Sequence, residues 1–225
     1  MSDMELITAS HQIICEGPDD IALFCRIVRD RNIPDTQVSC GRKIDGTDRR
    51  CLGTSGFLPR LRALKDLPQP KQRGFVIVAD TDDDPTCRFT YACNQFRKAG
   101  LPVPTTAYSI KTEPGQPKTA VILIPDEDHL GGIESILLNC AAGVDAARQH
   151  CRDHFFDCID ADNWAEKNQH KLRLRLLIAG TKEDDPSMGI SIWLSSAERP
   201  FTIQPCNALD RIANFLADFV AAPNP

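Results

Sequence analysis

The chain has 225 residues, with 26 Lys and Arg against 31 Asp and Glu, for a net charge of −5. At roughly 100–200 residues per domain this is one generous domain or a core with an appendage, large enough to bury a centre without disulfide staples. With 42% hydrophobic and 25% charged residues, the composition excludes disordered and fibrous classes, and no apolar run approaches the roughly 18 residues of a membrane span.

In chain order, short apolar runs alternate with amphipathic segments, which predicts an α/β protein. Residues 11–15 read as a buried strand and 19–31 as a helix with Ile21, Leu23, Phe24, Ile27 and Val28 on its inner face. A second strand is expected at 37–40, then a long basic loop holding Gly41, Gly46, Gly53 and Gly56, then a helix over 57–65. Residues 74–79, GFVIVA, are continuous in β-formers, as central parallel strands are. A helix over 85–99 ends at Gly100 and Pro102, a fourth strand covers 119–124, and 132–140 opens a helical second half. Helices over 163–179 and 208–220 complete it. The expected organisation is a core over 1–140 with a mainly helical extension over 141–225 packed on it.

The start, Met1 to Glu5, has neither the positive charge nor the apolar core of a secretory signal, so the expected compartment is the cytoplasm. Ten cysteines include no Cys-x-x-Cys pair, which argues against a zinc ribbon. Most lie in apolar stretches, where a free thiol behaves as a small buried hydrophobe. His150, Cys151, His154 and Cys158 come nearest to a metal-ligand set, but no second ligand pair follows at suitable spacing, so a helix with incidental polar residues is expected there.

Charge is uneven along the chain. Residues 26–73 hold twelve Lys and Arg against five acids, between acidic blocks at 1–25 and 74–145. Arg42, Lys43, Arg49, Arg50, Arg60 and Arg62 are therefore candidates for phosphate contacts on DNA or RNA, although solvated helix faces produce the same pattern.

The chemistry concentrates at strand ends, which in a parallel sheet face the ligand crevice. The first strand ends in Glu16-Gly17-Pro18-Asp19-Asp20 and the third in Asp80-Thr81-Asp82-Asp83-Asp84-Pro85. Residues two apart in extended backbone share a side, so Asp80 and Asp82 are expected to present oxygens together to a hard ion such as Mg²⁺ or Mn²⁺. Capping of the next helix accounts for Asp83 or Asp84. It does not account for Asp80, which ends an apolar strand where desolvation penalises an unpartnered carboxylate.

Glu16-Gly17-x-x-Asp20 after one strand and Asp80-x-Asp82 after a later one resemble the signature of the Toprim domain, shared by topoisomerases, bacterial primases, RNA-maturing nucleases and OLD-family nucleases. Leu123-Ile124-Pro125-Asp126 with Gly131-Gly132-Ile133-Glu134, the region around Lys171, and Pro186-x-x-Gly189 with the closing helix are similar to a smaller family of stand-alone Toprim-like proteins of uncharacterised function. The resemblance implies a Rossmann-like, mostly parallel sheet with helices on both faces and a helical carboxyl-terminal part. It further implies Mg²⁺- or Mn²⁺-dependent phosphoryl transfer on nucleic acid, most directly phosphodiester hydrolysis by a nuclease. Glu16 is then a metal ligand or general base, Asp80 and Asp82 hold the ion, Asp20 and Glu134 are second-metal candidates, and Lys171 stabilises transition-state charge.

Departures from the family narrow this expectation. No tyrosine lies in a recognisable topoisomerase setting, no cysteine set matches a primase zinc domain, and no phosphate-binding Gly-x-x-x-x-Gly-Lys loop is present, so any ATPase or targeting function would come from a protein partner. Pro18 replaces the lysine that often follows the Glu-Gly pair in the family. Haloacid-type phosphatases and sugar-nucleotide transferases also use a strand-end Asp-x-Asp, but neither explains Glu16-Gly17-x-x-Asp20. The alternative function is a non-catalytic Mg²⁺-binding module that contacts nucleic acid or protein.

Overall fold

The computed structural model describes residues 7–41, 51–67, 73–142, 146–180, 185, 187–195, 202–203 and 206–224. The first half runs β1 (His11–Cys15), α1 (Pro18–Asp30), β2 (Thr36–Cys40), α2 (Phe57–Lys65), β3 (Gly74–Asp80), α3 (Pro85–Lys98), β4 (Lys118–Ile124) and α4 (Ile133–Cys140). The second runs β5 (Ala141–Ala142), α5 (Ala146–Cys158), α6 (Glu166–Ala179), α7 (Ile190–Ser195), β6 (Thr202–Ile203) and α8 (Asn207–Ala221). The main sheet has order β2-β1-β3-β4 and every pairing in it is parallel; β5 and β6 form a separate two-residue antiparallel pair.

Period-two alternation divides the strands between two layers. Ile13, Cys15, Val76, Val78, Ile122 and Ile124 pack with apolar residues of α1, α4, α6, α7 and α8. Ile14, Phe75, Ile77, Ala79, Val121 and Leu123 face α2 and α3. Both faces are thus covered, which is why 75–79 of β3 and 120–124 of β4 are apolar throughout. The helices beyond residue 140 supply much of one layer, so the two sequence halves share a core. Phe219 of α8 seats against Gly74, where a Cβ would come 2.7 Å from its ring. Beside it the buried Lys118 donates to the carbonyls of Val220 at 3.1 Å and Ala222 at 2.5 Å, closing the end of α8.

The backbones of Gly41 and Gly56 cross so closely that a Cβ on Gly41 would lie 2.6 Å from the Gly56 Cα. Cys40 and Cys51 form a disulfide beside that crossing, and Cys140, at the end of α4, is bonded to Cys206, just before α8. These pairs correct the expectation of mostly free, buried thiols. Of the free cysteines Cys15 and Cys93 are buried, whereas Cys25, Cys87, Cys151 and Cys158 are exposed. Among the described residues no helix is long and apolar enough to cross a membrane.

Candidate functional site

Strand order reverses between β1 and β3, because the chain moves outward from β1 to β2 and then returns to the other side. Ligand crevices form at the carboxyl ends of such a pair. Glu16 follows β1 and Asp80 ends β3, and the Asp80 backbone N–H donates to Glu16 Oε1 at 3.2 Å. Asp20, in the first turn of α1, is buried, and its Oδ2 accepts from the Gly17 N–H at 2.9 Å. Asp20 therefore closes the start of α1 as well as facing the rim.

Glu134 joins from the first turn of α4 and is also buried. Gly131 and Gly132 make room for it. A Cβ on Gly132 would stand 2.8 Å from Asp80 Oδ2 and 3.1 Å from Glu134 Oε2, so both oxygens crowd one point. Gly131 has φ +129°, a conformation that a side chain would strain. Thr81 ties this corner together, its hydroxyl donating to the carbonyls of His129 at 2.8 Å and Ile124 at 3.1 Å.

Burial, joined at Asp80 and Asp20 by repulsion from neighbouring acids, raises the proton affinities of Asp80, Asp20 and Glu16. Burial is the largest cause at Asp80, followed by the charges of Asp20, Glu16 and Glu134; Lys171 opposes them, and the carboxyl stays well above the usual range. Asp20 is pushed up to about 7, chiefly by burial, against the Gly17 hydrogen bond and with repulsion from Glu16, Glu134 and Asp19. Burial likewise raises Glu16, while the charge of Arg88 and the Asp80 N–H restrain it. Asp80 Oδ1 is shielded from solvent and has no hydrogen-bond partner.

Asp82 departs from the expected geometry. Its φ of +48° ends the alternation that was to align it with Asp80, and its backbone exchanges hydrogen bonds with Gly131 at 3.0 and 3.2 Å. Its carboxylate pairs with Arg88 of α3. Two neighbouring acids have structural duties: Asp84 caps α3 through the Cys87 N–H at 2.9 Å, and Asp19 Oδ1 accepts from the Ser191 N–H at 2.8 Å.

Lys171 lies in α6, where Arg175 follows one turn later on the same face and Arg173 falls on the opposite one. The face it shares includes Lys167, ion-paired with Asp83 at 2.8 Å, and the buried Leu174. One residue earlier, His170 Nδ1 is 2.8 Å from the Ser135 hydroxyl of α4. Sequence reasoning missed Ser135, His170, Lys167 and Arg88. Gly131-Gly132 was the one local signal for a close approach at this corner.

Two of the six basic candidates, Arg60 and Arg62, lie among the described residues. Arg42, Lys43, Arg49 and Arg50 lie outside the described residues. Arg60 is a correction: it is fully buried on the inner face of α2, among Phe57, Leu61 and Leu64, and does not present a guanidinium to a phosphate. Arg62 and Lys65 donate to carbonyls at the end of α3, at 3.4 Å to Lys98 and at 3.0 and 2.8 Å to Ala99 and Gly100, a cap for that helix. His150, Cys151, His154 and Cys158 sit exposed on α5, with Cys158 Sγ 3.8 Å from His154 Nε2.

Among the described residues no three or more His, Cys, Asp or Glu side chains are already gathered as around a bound ion. The donor set at the switch point nonetheless fits a hard divalent cation: Glu16, Asp20, Asp80 and Glu134 offer only oxygen, and one of those oxygens is buried without a partner. No curated protein and no solved structure gives a significant match to the chain. Residues 10–221 match the model of a family described as a protein of unknown function (DUF3226), and the chain belongs to that family.

Proposed function

We propose that this protein is a divalent-metal-dependent phosphoryl-transfer enzyme of the Toprim-like kind that hydrolyses phosphodiester bonds in DNA or RNA. The observation that carries the reading is the buried, unpartnered Asp80 Oδ1 at the switch point. The charges of three further carboxylates bear on it.

Asp80, Asp20 and Glu134 would hold Mg²⁺ or Mn²⁺, with Glu16 as ligand or general base. A divalent ion supplies positive charge to the phosphate oxygens and leaving group. Glu16, whose proton affinity is raised by burial, is suited to taking a proton from the attacking water. Lys171, whose charge acts on Asp80 from α6, would add a second positive charge beside the phosphate. The cytoplasmic location expected from the sequence belongs to this reading. The two disulfides, unusual in a reducing compartment, weigh against it, and thiol titration with and without reductant tests them.

Purified protein incubated with labelled single- and double-stranded DNA and RNA, in Mg²⁺, Mn²⁺ and chelator, tests the function. Scission that needs the metal and is lost in Asp80→Asn is the expected result. Folded protein that cuts none of the four polymers, but binds them and Mg²⁺, would instead support the non-catalytic module.

A further inference from the structure

Asp80 and Asp82 share a sequence motif but not a site. Asp80 turns into the carboxylate cluster, while Asp82 is fixed by its left-handed backbone and two hydrogen bonds to Gly131, with its carboxylate on Arg88. Turning the Asp82 carboxylate toward Asp80 would break its ion pair with Arg88.

Arg88 has a second relation to the cluster. Its charge acts on Glu16, as that of Lys171 acts on Asp80. The two cations come from opposite faces of the sheet, since α3 belongs to one packed layer and α6 to the other. The Arg88 side chain keeps 26% of its surface exposed. A guanidinium has five N–H donors, of which a carboxylate engages two at most, so donors remain for an arriving anion.

We propose that Arg88 is the group by which this site grips a non-bridging phosphate oxygen of its substrate, and that Asp82 is the positioning residue that aims Arg88 and not a metal ligand. This rests on the phosphoryl-transfer reading and deepens it. The Asp82 ion pair holds the long side chain in one orientation before substrate arrives, lowering the ordering cost of binding. The planar fork matches two phosphate oxygens where a lysine would offer a point charge.

The experiment compares wild type with Asp82→Asn, Asp80→Asn, Arg88→Lys and Arg88→Ala, after melting curves establish which variants fold. Mn²⁺ uptake is measured by calorimetry without nucleic acid. Binding of a labelled single-stranded oligodeoxynucleotide is measured in chelator across a salt series. The expected outcome is Mn²⁺ affinity within about twofold of wild type for Asp82→Asn but at least about tenfold weaker for Asp80→Asn. Arg88→Ala should shallow the salt slope by about 0.7. Arg88→Lys, which keeps the charge, should retain the slope and lose affinity. In cleavage assays Asp82→Asn should raise KM by less than Arg88→Ala does, with kcat unchanged, the mark of a lost aim and not of a lost contact. Loss of Mn²⁺ uptake in Asp82→Asn equal to that in Asp80→Asn would make Asp82 a ligand and overturn the proposal, as would an unchanged salt slope in folded Arg88→Ala. Absence of Mn²⁺ uptake by the wild type would sink the metal-dependent reading instead, and the oligonucleotide series in chelator would still decide Arg88.

Discussion

The Asp80 backbone N–H donates to the Glu16 carboxylate across 3.2 Å, joining the ends of β1 and β3 where the strand order reverses. One hydrogen bond therefore links the two halves of the candidate site. It stabilises the charged form of Glu16 while burial opposes that charge. Asp80 and Asp20 have less compensation, and their raised proton affinities bear on how the metal-free protein responds to pH.

Asp20 is the clearest case. Its carboxyl lies at about 7 in the fold, against 3.8 ordinarily. Below the unfolded value both states hold the proton, and the stability contribution is fully present. Between the two values the unfolded chain releases its proton while the fold keeps it, so stability falls as pH rises and levels off above about 7. One such group changes stability by up to about 1.4 kcal/mol per pH unit within that window. Chelator-treated protein should therefore melt lower as pH is raised from about 4 to 7, with a smaller decline in Asp20→Asn. An equal decline in both proteins would remove Asp20 as its source.

Gly132→Ala tests the crowding at Asp80. The added methyl would stand 2.8 Å from Asp80 Oδ2 and 3.1 Å from Glu134 Oε2, so one carboxylate has to move. Overpacking of this kind costs about 1–3 kcal/mol. Calorimetry should show weaker Mn²⁺ uptake even where the variant still folds. Wild-type uptake would mean that Asp80 and Glu134 do not bind one ion together.

Arg60→Ala should act on stability and leave nucleic-acid binding alone. The side chain is fully buried in the layer under α2, so truncation removes packing from a closed core at a cost of order 2–5 kcal/mol. The salt slope of oligonucleotide binding should not change. Arg62→Ala, which loses one carbonyl contact at the end of α3, should change neither quantity by much. A shallower slope in Arg60→Ala would mean that the guanidinium reaches the surface in solution.

How much of this was legible follows from which interactions are local. The run in β3 announced itself because both of its faces are buried, and Glu16 and Asp80 stood out because acids close apolar strands. α2 began and ended where its periodicity predicted, and the same periodicity carried an unused signal: Arg60 lies three residues after Phe57 and four before Leu64, on the inner face. Asp82 was misplaced because alternation holds only while the backbone stays extended, and a φ of +48° at one residue redirects the side chain. Ser135 with His170, and Cys140 with Cys206, lie 35 and 66 residues apart. Only tertiary packing brings them together, so no spacing in the chain marks them.

Glu16 separates function from stability most directly. Its carboxylate is partly buried beside Asp80 and Asp20, and its proton affinity is raised, by burial first, against the pull of Arg88 and the Asp80 N–H. An acid raised in this way contributes stability at low pH that is lost as pH rises through its folded value, so above that value its charge disfavours the metal-free fold. Glu16→Gln keeps the shape and a side-chain oxygen able to accept from Asp80 while removing that charge. The variant should therefore melt at or above wild type in chelator at neutral pH, yet lose the ligand or base that metal-assisted attack on phosphate needs. Melting in chelator and cleavage in Mn²⁺, measured side by side, check both halves. A variant that melts well below wild type would make the bond from the Asp80 N–H the main duty of Glu16, and undiminished cleavage would remove Glu16 from the active site.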